Sequence, residues 1–491
     1  MAGRRMGQRG HAGVPPGTLG NESGLNRRVV WTLGAVVVTA LLAVWINGAR
    51  EDAGITRGAG PGASLDTAEP SLINQAMARV HDAARSQLPA SPSGLESNSL
   101  TPSRFDAVKP LLGQAEARLI GIYQLISQGQ HREALAQADR LVKDHPNFQL
   151  AHLVHGDLLS LQARPVRQLG DVPDTKALAA SQQLSTLRDE SRRRLLALTE
   201  RPPEGSIPTQ FLTLAPQSRH AIAIDASRSR LYLFENLNPA RSSPAADREP
   251  KLKLVGDFYI SVGLSGIEKS VEGDKRTPLG VYYITSTLNP ADLPDLYGVG
   301  ALPINYQNPL DVQRGKTGSG IWLHGTPSDQ FVRAPQASDG CVVLSNPDLE
   351  RLLRTVQIRT TPVVIAPELQ WVQPDALSSD RQQFESVLES WRRSRSDGNL
   401  IELKGYYSSR FSNQGRDLAQ WWPRVESELR STGPRELAIK DLSVLRWNDT
   451  DDTRVVTFGE VAAGQTRGVT KRQYWIRENN RWTIFFEGTI G

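Results

Sequence analysis

The sequence predicts a multidomain protein with an N-terminal transmembrane helix, a small α-helical region, a mostly-β domain and a C-terminal α+β domain. Three patterns indicate this order: an uncharged apolar run near the N-terminus, apolar residues at helical spacing after it, and alternating strand-like segments further on. The 491 residues suffice for roughly three domains. With 39% hydrophobic and 22% charged residues, the composition excludes wholesale disorder, a collagen-like fibre and a polytopic membrane protein.

The charge balance and the cysteine content exclude several classes of function. Lys and Arg number 57 against 52 Asp and Glu, an excess too small and dispersed to indicate nucleic-acid binding. Cys341 is the sole cysteine, which excludes an internal disulfide, a Cys-based zinc finger and a Cys-ligated iron–sulfur cluster. A lone thiol is either a buried small hydrophobe or a reactive nucleophile.

The uncharged run at 29–49 predicts the transmembrane anchor. As a helix it covers about 30 Å, the thickness of a bilayer core, and Trp31 and Trp45 lie near its ends. Five arginines in residues 1–28 place that segment in the cytoplasm by the positive-inside rule, so the remainder is exported. A cleaved signal peptide is the alternative, but the residues that end the run match a cleavage site poorly.

The next segments are a linker and a helical region. Prolines, glycines and serines predict a linker over 50–111, with a short helix around 70–87. Apolar residues at helical spacing predict helices within 112–200, interrupted at Gly129 and Pro146. This order of helix, turn, helix, proline and helix resembles one tetratricopeptide-type (TPR-like) unit.

Two polar features of the helical region are interpreted as ordinary surface. His152 and His155 are three residues apart and could share a metal ion, but no third ligand is placed to complete the site. The run Arg192–Arg194 is interpreted as a solvated helix face, with anionic lipid or wall polymer as the alternative contact. No metal site is therefore expected.

A proline-rich boundary at 201–217 precedes a mostly-β domain at 218–366. Its helix is predicted at 348–356, and its long connections are of the kind that often carries function. The predicted strands cover 221–225, 230–234, 251–262, 280–288, 320–325, 341–345 and 362–366.

The residues from 376 to 491 predict an α+β domain. An amphipathic helix comes first, and the aromatic pair Trp421-Trp422 follows. Strands are predicted at 441–447, 453–463 and 468–487. Helices followed by a curved antiparallel sheet resemble the cone of the NTF2-like fold.

The chemistry is indicated by the stretch from 318 to 346. His324 ends a predicted strand. Cys341 lies later in the chain, directly after Gly340. An imidazole beside a thiol raises its nucleophilicity, and a third group must orient the base. A glycine before the nucleophile allows a sharp turn that presents backbone N–H groups to an oxyanion. The alternative is a buried structural cysteine with an unrelated loop histidine.

The surrounding motifs resemble the catalytic domain of the L,D-transpeptidase (YkuD-type) family. The family pattern is a histidine with a small residue after it, and then a Ser/Thr-x-Gly-Cys element, here His324-Gly325 and Ser338-Asp339-Gly340-Cys341. The segments 220–236, 258–266 and 273–284 match the family's opening hairpin and its Thr-Pro-x-Gly-x-Tyr element.

The resemblance implies a role for each matched residue. Cys341 would be the nucleophile, His324 the base and the Gly325 carbonyl the group that orients the imidazole. The oxyanion hole would be formed by the backbone N–H groups of Gly340, Cys341 and Asp339. The expected substrate-binding residues are Ser338, which also supports the loop, Tyr306, Trp322 and Arg333.

Two positions depart from the family pattern. Asp339 stands where the family most often has His or Arg, and Val343 where it has Asn or Arg. Either the substrate differs, or Arg333, Arg314 or Lys316 supplies the missing charge. The loop from 289 to 318 corresponds to the family's lid, in which Tyr297, Tyr306 and Asn308 would either grip a peptide stem or pack beneath the loop.

The resulting prediction is a single-pass inner-membrane protein of a diderm bacterium with a periplasmic cysteine L,D-transpeptidase domain. It would act on peptidoglycan stem peptides in wall organisation and cell shape, without a cofactor, and form cross-links or attach another amine. One alternative is a hydrolase or amidase that uses the same thioester. The other is a degenerate envelope scaffold, and the helical and NTF2-like regions would bind an envelope protein or a second copy of the chain.

Overall fold

The structure is a computed structural model that describes residues 109–172, 176, 179–238 and 249–490. The predicted cytoplasmic segment 1–28, the anchor 29–49 and the helix around 70–87 lie outside the described residues. Within the described ranges, every helix is too short or too polar to cross a bilayer.

The helical region folds around a small apolar core. Its helices are α1 (Gln114–Ser127), α2 (His131–Asp144), α3 (Gln149–Ser160) and α4 (Ser181–Thr199). Gly129 has φ = +72° in the turn between α1 and α2, a conformation that glycine adopts without steric cost. Leu119, Tyr123 and Leu141 are almost completely buried, because the 3.6-residue period brings them to facing sides of the helices.

Buried ion pairs join this region to the first strands of the next domain. Arg194 on α4 and Arg230 bind the same Glu116 carboxylate oxygen at 2.9 and 2.8 Å. Arg230 also binds Asp257 at 2.6 Å, and Arg194 binds Glu190 at 2.8 Å. The prediction that Arg192–Arg194 lies on a solvated face is therefore wrong for Arg194, whose side chain is only 2% exposed.

The mostly-β domain is built on a five-stranded sheet with the order β5-β4-β3-β12-β7. Strands β12 and β3 are parallel, and the other neighbours in this sheet are antiparallel. In chain order, the strands up to β7 are β1 (Ile207–Pro208), β2 (Phe211–Thr213), β3 (His220–Asp225), β4 (Arg230–Asn236), β5 (Leu252–Tyr259), β6 (Val262–Gly263) and β7 (Gly280–Tyr283).

A second layer of short elements carries the residues singled out from the sequence. It contains a three-stranded sheet, β11-β9-β8, and the parallel pair β10-β6. In chain order, the elements from β8 onward are β8 (Ala301–Pro303), α5 (Pro309–Gln313), β9 (Trp322–His324), β10 (Gln336–Ser338), β11 (Val342–Val343), α6 (Asn346–Thr355), β12 (Pro362–Ala366) and β13 (Trp371–Val372). Of these, β12 belongs to the five-stranded sheet and β13 pairs with β1. The predicted strands 280–288 and 341–345 are thus shorter than expected, and 251–262 is two strands.

The C-terminal domain is a five-stranded antiparallel sheet with helices against one face. Its elements are α7 (Ser378–Ser396), α8 (Leu400–Lys404), β14 (Ser412–Asn413), β15 (Arg416–Asp417), α9 (Leu418–Thr432), β16 (Leu437–Asn448), β17 (Asp452–Ala462), β18 (Val469–Glu478) and β19 (Arg481–Thr489). The predicted strand 468–487 is a hairpin, because Asn479 and Asn480 both adopt positive φ and turn the chain.

The two sheet domains share one hydrophobic core. Ala223 and Tyr232 on one face of the central sheet lie in the same buried cluster as Phe384 and Trp475 of the C-terminal domain. Moreover, β2 pairs with β16 at the edge of the C-terminal sheet. The segment 201–217, interpreted from its prolines as a boundary, therefore contributes a strand to a domain that begins some 160 residues later.

Candidate active site

Cys341 and His324 are brought together by two neighbouring parallel strands. Val342 of β11 pairs with Leu323 of β9, and Val343 pairs with His324. Cys341 directly precedes β11, so it stands two positions from the level of His324, about 8 Å between Cα atoms at ordinary strand spacing. Because side chains alternate along a strand, positions 341 and 324 fall on the same face of the pair when the register of β11 is continued by one residue to Cys341.

The sulfur lies against the start of β9. The thiol donates a hydrogen bond to the Gly320 carbonyl at 3.5 Å. Cys341 is half-buried. This environment leaves the nucleophile accessible within an otherwise low-dielectric site.

His324 is only 3% exposed and is held in one tautomer. Its Nδ1 lies 2.7 Å from the Gly325 carbonyl oxygen, which can only accept, so Nδ1 carries the proton. The other ring nitrogen, Nε2, is then the one that can accept a proton. The ring of Tyr297 packs edge-on against the imidazole with centroids 5.0 Å apart, which fixes the plane of the base.

Burial keeps both groups neutral at pH 7. It raises the pKa of the Cys341 thiol above its ordinary value, against opposing effects of the Trp322 backbone and Arg333. Burial also lowers the pKa of His324 to about 4; the Gly325 carbonyl opposes this shift and Arg333 adds to it. The resting pair is therefore a thiol beside a neutral imidazole, not a thiolate–imidazolium pair.

We expect alkylation of Cys341 by iodoacetamide to follow the raised thiol pKa. The second-order rate should rise about tenfold per pH unit from pH 6 to 8.5, since the reacting thiolate increases by that factor below the pKa. Intact-mass measurement of the adduct against time gives the rate. Because the chain has one cysteine, a thiol adduct can be assigned to Cys341. A rate plateau between pH 6 and 8 would show a preformed thiolate instead.

The turn before the nucleophile is fixed by hydroxyl groups. Ser338 Oγ donates to the Cys341 carbonyl at 2.6 Å and accepts from the Gly340 N–H at 3.1 Å. Thr277 Oγ1 donates to the Gly340 carbonyl at 3.0 Å, and Gly340 has φ = +122°, in the region that favours glycine. A Cβ at this position would lie 2.7 Å from the Arg276 carbonyl oxygen.

This arrangement changes the expected composition of the oxyanion hole. The Gly340 N–H, one of the three expected donors, is already bound by the Ser338 hydroxyl. The physical reason is that the sharp turn folds the Ser338 side chain back under the backbone. Ser338 is 2% exposed, so its contacts support the turn rather than reach a bound molecule. The N–H groups of Cys341 and Asp339 stay predictions for this role.

The other residues expected to bind substrate are placed differently from one another. Trp322 is half-buried with its ring 4.8 Å from that of Tyr297, beside the imidazole. Arg333 is half-buried and donates to the Leu296 carbonyl at 3.5 Å. Tyr306 is 7% exposed within the core, and its hydroxyl donates to the Thr317 carbonyl, as the packing alternative anticipates.

The basic side chain that lies near Asp339 is not one of those expected from the sequence. The Asp339 carboxylate is 85% exposed and lies 3.5 Å from Lys275 Nζ, so a lysine of the facing loop offsets the reversed sign. Arg314 and Lys316 are occupied elsewhere. Arg314 binds Asp449 of the C-terminal domain at 2.6 Å, and Lys316 binds Asp311 at 2.8 Å.

The segment between His324 and Cys341 is anchored in the helical region. The Phe331 ring stacks on Phe148 with centroids 4.4 Å apart and contacts His145 at 4.9 Å. The Phe331 N–H donates to the Asn147 carbonyl at 3.3 Å. Sequence reasoning missed this contact, because Phe331 and its partners are distant in the chain and no local pattern joins them.

A second residue that sequence reasoning missed is Asn346, at the start of α6. Its Oδ1 accepts hydrogen bonds from the Thr326 N–H (3.1 Å) and the Val299 N–H (3.3 Å), and its Nδ2 donates to the Thr326 carbonyl (2.9 Å). A Cβ at Gly325 would lie 2.0 Å from this Oδ1, so Asn346 requires glycine after the histidine. The sequence signals for this contact were Gly325, directly after the histidine, and the run Ser345-Asn346-Pro347.

We expect Asn346→Ala to impair His324 as a base while leaving the thiol in place. Loss of three hydrogen bonds frees the Gly325–Thr326 backbone and with it the carbonyl that orients Nδ1. Acylation of Cys341 by a stem peptide should fall about 10- to 100-fold, the range for loss of groups that orient a functional ligand. The iodoacetamide rate should change less than twofold, because it depends on the thiolate alone.

Asn346→Asp is the matched variant for this test, since it keeps the Oδ1 acceptor and loses the Nδ2 donor. Its acylation rate should lie between those of the wild type and Asn346→Ala. Equal rates for wild type and Asn346→Ala would contradict the positioning role.

The helical histidines show no ligand geometry. His152 Nε2 bonds the Pro146 carbonyl oxygen at 2.9 Å. In the part of the chain that the structure describes, no group of three His, Cys, Asp or Glu side chains could hold a metal ion.

Several solved structures are similar to this chain. A Bdellovibrio bacteriovorus protein, Bd1075, shares 22% identity over 58% of this chain and 98% of its own, with a TM-score of 0.48. The helical cell shape determining protein Pgp2 from Campylobacter jejuni shares 20% identity over 57% of this chain and 95% of its own, with a TM-score of 0.44. An L,D-transpeptidase from Mycobacterium smegmatis shares 12% identity over 30% of this chain and 58% of its own, with a TM-score of 0.18.

No curated protein matches the chain. Two domain families do. Residues 219–365 match the L,D-transpeptidase catalytic domain (YkuD), and residues 383–488 match the Cds6 C-terminal NTF2-like domain. The two matched ranges contain the central sheet with Cys341 and His324, and most of the C-terminal sheet. The chain therefore contains a YkuD L,D-transpeptidase catalytic domain and, after it, an NTF2-like domain of the Cds6 C-terminal family.

Proposed function

We propose that the protein is a cysteine L,D-transpeptidase that acts on peptidoglycan stem peptides through a thioester on Cys341. The observation that carries this proposal is the pairing of β9 with β11, which sets an accessible thiol beside a histidine held in the Nδ1–H tautomer. A nucleophile, a base and an orienter of the base are the three parts that acyl transfer requires.

In the first half-reaction Cys341 attacks the carbonyl carbon of a diaminopimelate residue joined to a terminal D-alanine. His324 Nε2 takes the thiol proton as the carbon–sulfur bond forms, because both groups are neutral in the resting site. The carbon–nitrogen bond then breaks, and the imidazolium returns the proton to the departing amine. D-Alanine leaves, and the acyl group remains as a thioester.

In the second half-reaction an amine of another stem attacks the thioester carbonyl. His324 accepts a proton from that amine, an amide bond forms, and the carbon–sulfur bond breaks. The proton returns to the sulfur, so the thiol and the neutral imidazole are regenerated. Water as the attacking group would instead give a free carboxylate and make the enzyme a hydrolase.

The proposed location is based on the sequence of the segment before the described residues. A helix at 29–49 would hold the catalytic domain on the outer side of the inner membrane, within reach of the peptidoglycan. The linker at 50–111 would set the distance between the membrane and the wall. An envelope protein or a second copy of the chain could contact the helical or NTF2-like region.

Purified full chain incubated with defined tetrapeptide muropeptides tests the proposal. We expect a mass increase on Cys341 equal to the acyl group, with release of D-alanine, and cross-linked dimers on longer incubation. Shortened stems without dimers would establish hydrolysis in place of transfer. Absence of both an acyl adduct and any product, with a folded protein, would contradict the enzymatic function.

A further inference from the structure

We propose that a groove between α4 and the segment Val332–Ala334 binds the uncharged glycan strand to which the stem peptide is attached. The proposal rests on the proposed function, because it assigns part of the same substrate to a second surface. The helical region would then be a part of the substrate-binding site.

The groove has the size and the lining of a ligand site. Its volume is about 430 Å³, within the range usual for small-molecule sites. Three glutamines, Gln149, Gln182 and Gln183, and the hydroxyl of Thr186 line it. All three glutamines are exposed, and each amide carries both donors and acceptors that a ligand can bind.

The lining is neutral in effect. Glu190 is its charged member, and that carboxylate is 2.8 Å from Arg194 Nη2, with both side chains almost completely buried. Leu187 and Val332 add an apolar surface beside the amides. N-Acetylated sugars present hydroxyl and acetamido groups together with apolar ring faces, which match this lining. A free stem peptide carries carboxylates and an ammonium group, for which the groove offers no counter-charge.

The groove lies against the segment that also reaches the catalytic pair. Val332 and Ala334 line the groove, whereas Arg333 between them bonds the Leu296 carbonyl, next to the Tyr297 that packs on His324. Phe331 anchors this segment in the helical core, so the groove wall and the active-site loop are held as one unit.

The length of a stem peptide limits how far the bound glycan can lie from Cys341. Three amino acids lie between the glycan and the carbonyl that Cys341 would attack, and an extended chain of three residues reaches about 10 Å.

The binding arm of the test uses full chain carrying Cys341→Ala, which prevents turnover. Peptide-free oligosaccharides of alternating N-acetylglucosamine and N-acetylmuramic acid, with each lactyl carboxyl converted to its amide so that the chain is uncharged, are titrated by calorimetry. We expect saturable binding that Gln182→Ala with Gln183→Ala weakens about tenfold, the effect of losing two hydrogen bonds. Thr186→Trp, which fills the groove, should abolish it. Gln128→Ala, at an exposed position after α1, is the matched control and should leave binding unchanged.

The kinetic arm compares two substrates on chain that retains Cys341. The groove variants should slow acylation by a glycan-linked tetrapeptide about tenfold and leave acylation by the free tetrapeptide unchanged. No glycan binding, binding that the groove variants do not alter, or equal slowing with both substrates would overturn the proposal. Glycan binding that the variants abolish, in a protein that neither substrate acylates, would support the groove while the proposed enzymatic function fails.

Discussion

Replacing Cys341 by alanine is expected to abolish the acyl-enzyme and to lower turnover of stem peptides by at least about 10⁴-fold. No other side chain in the sequence can supply a thiolate, because Cys341 is the sole cysteine. Its half-buried position and its backbone-directed hydrogen bond predict that the free energy of unfolding changes by less than about 1 kcal/mol. Intact mass and D-alanine release measure the chemistry, and urea unfolding measures the stability.

His324→Gln is the companion variant. It retains a planar hydrogen-bonding group beside the Gly325 carbonyl but cannot accept the thiol proton, so acylation should fall by about 10²- to 10⁴-fold. Iodoacetamide should still alkylate Cys341 in this variant, which separates loss of the base from loss of the thiol. Product formation by Cys341→Ala at a wild-type rate would contradict the whole mechanism.

Glu116→Gln is expected to cost about 3–5 kcal/mol of the free energy of unfolding, the effect of breaking a buried ion pair. The Glu116 carboxylate lies between Arg194 and Arg230, and all three side chains are at most 3% exposed. The variant keeps the shape of the side chain but leaves two buried guanidinium groups with fewer acceptors. Urea unfolding of the full chain measures the loss, and Glu133→Gln on exposed α2 is the control, expected to stay within about 0.5 kcal/mol.

The same carboxylate makes a pH-dependent contribution. Burial opposes its ionisation, but the nearby charges of Arg230 and Arg194 prevail and hold the pKa of Glu116 below its ordinary value. Its stabilising effect is therefore complete above the pKa of the unfolded chain and is lost as the pH falls through the folded-state pKa. The difference in stability between wild type and Glu116→Gln should shrink below pH 4. A constant difference down to pH 3 would contradict this account.

Local sequence patterns were sufficient to predict the features that are set by residues close together in the chain. Short continuous runs of apolar residues predict β3 and β12 closely, since both strands are buried in the centre of a sheet. The motif around His324 and Cys341 places them on neighbouring segments, because the family pattern includes the spacing that parallel β9 and β11 require.

Features that depend on distant partners were not predictable from one sequence. The burial of Arg194 depends on Glu116, which is nearly 80 residues earlier, although Glu190 at helical spacing was a local signal. Strand β2 has three residues and lies among prolines, so its pairing with β16 has no local signature. The hydrogen bond from the Gly340 N–H to Ser338 depends on the backbone conformation of the turn, which the motif does not specify.

The pairing of β2 with β16 has a consequence for how the chain is made. Phe211 and Leu212 leave the ribosome before the entire catalytic domain, and their partner strand is synthesised only afterwards. Until then these two side chains, which are fully buried in the folded protein, have no partner to pack against. The NTF2-like sheet should therefore form last and slowly. A fragment that starts at residue 376 would carry an unpaired β16 edge, which invites association with other strands. Expression of that fragment together with a peptide spanning 205–217 should suppress its aggregation.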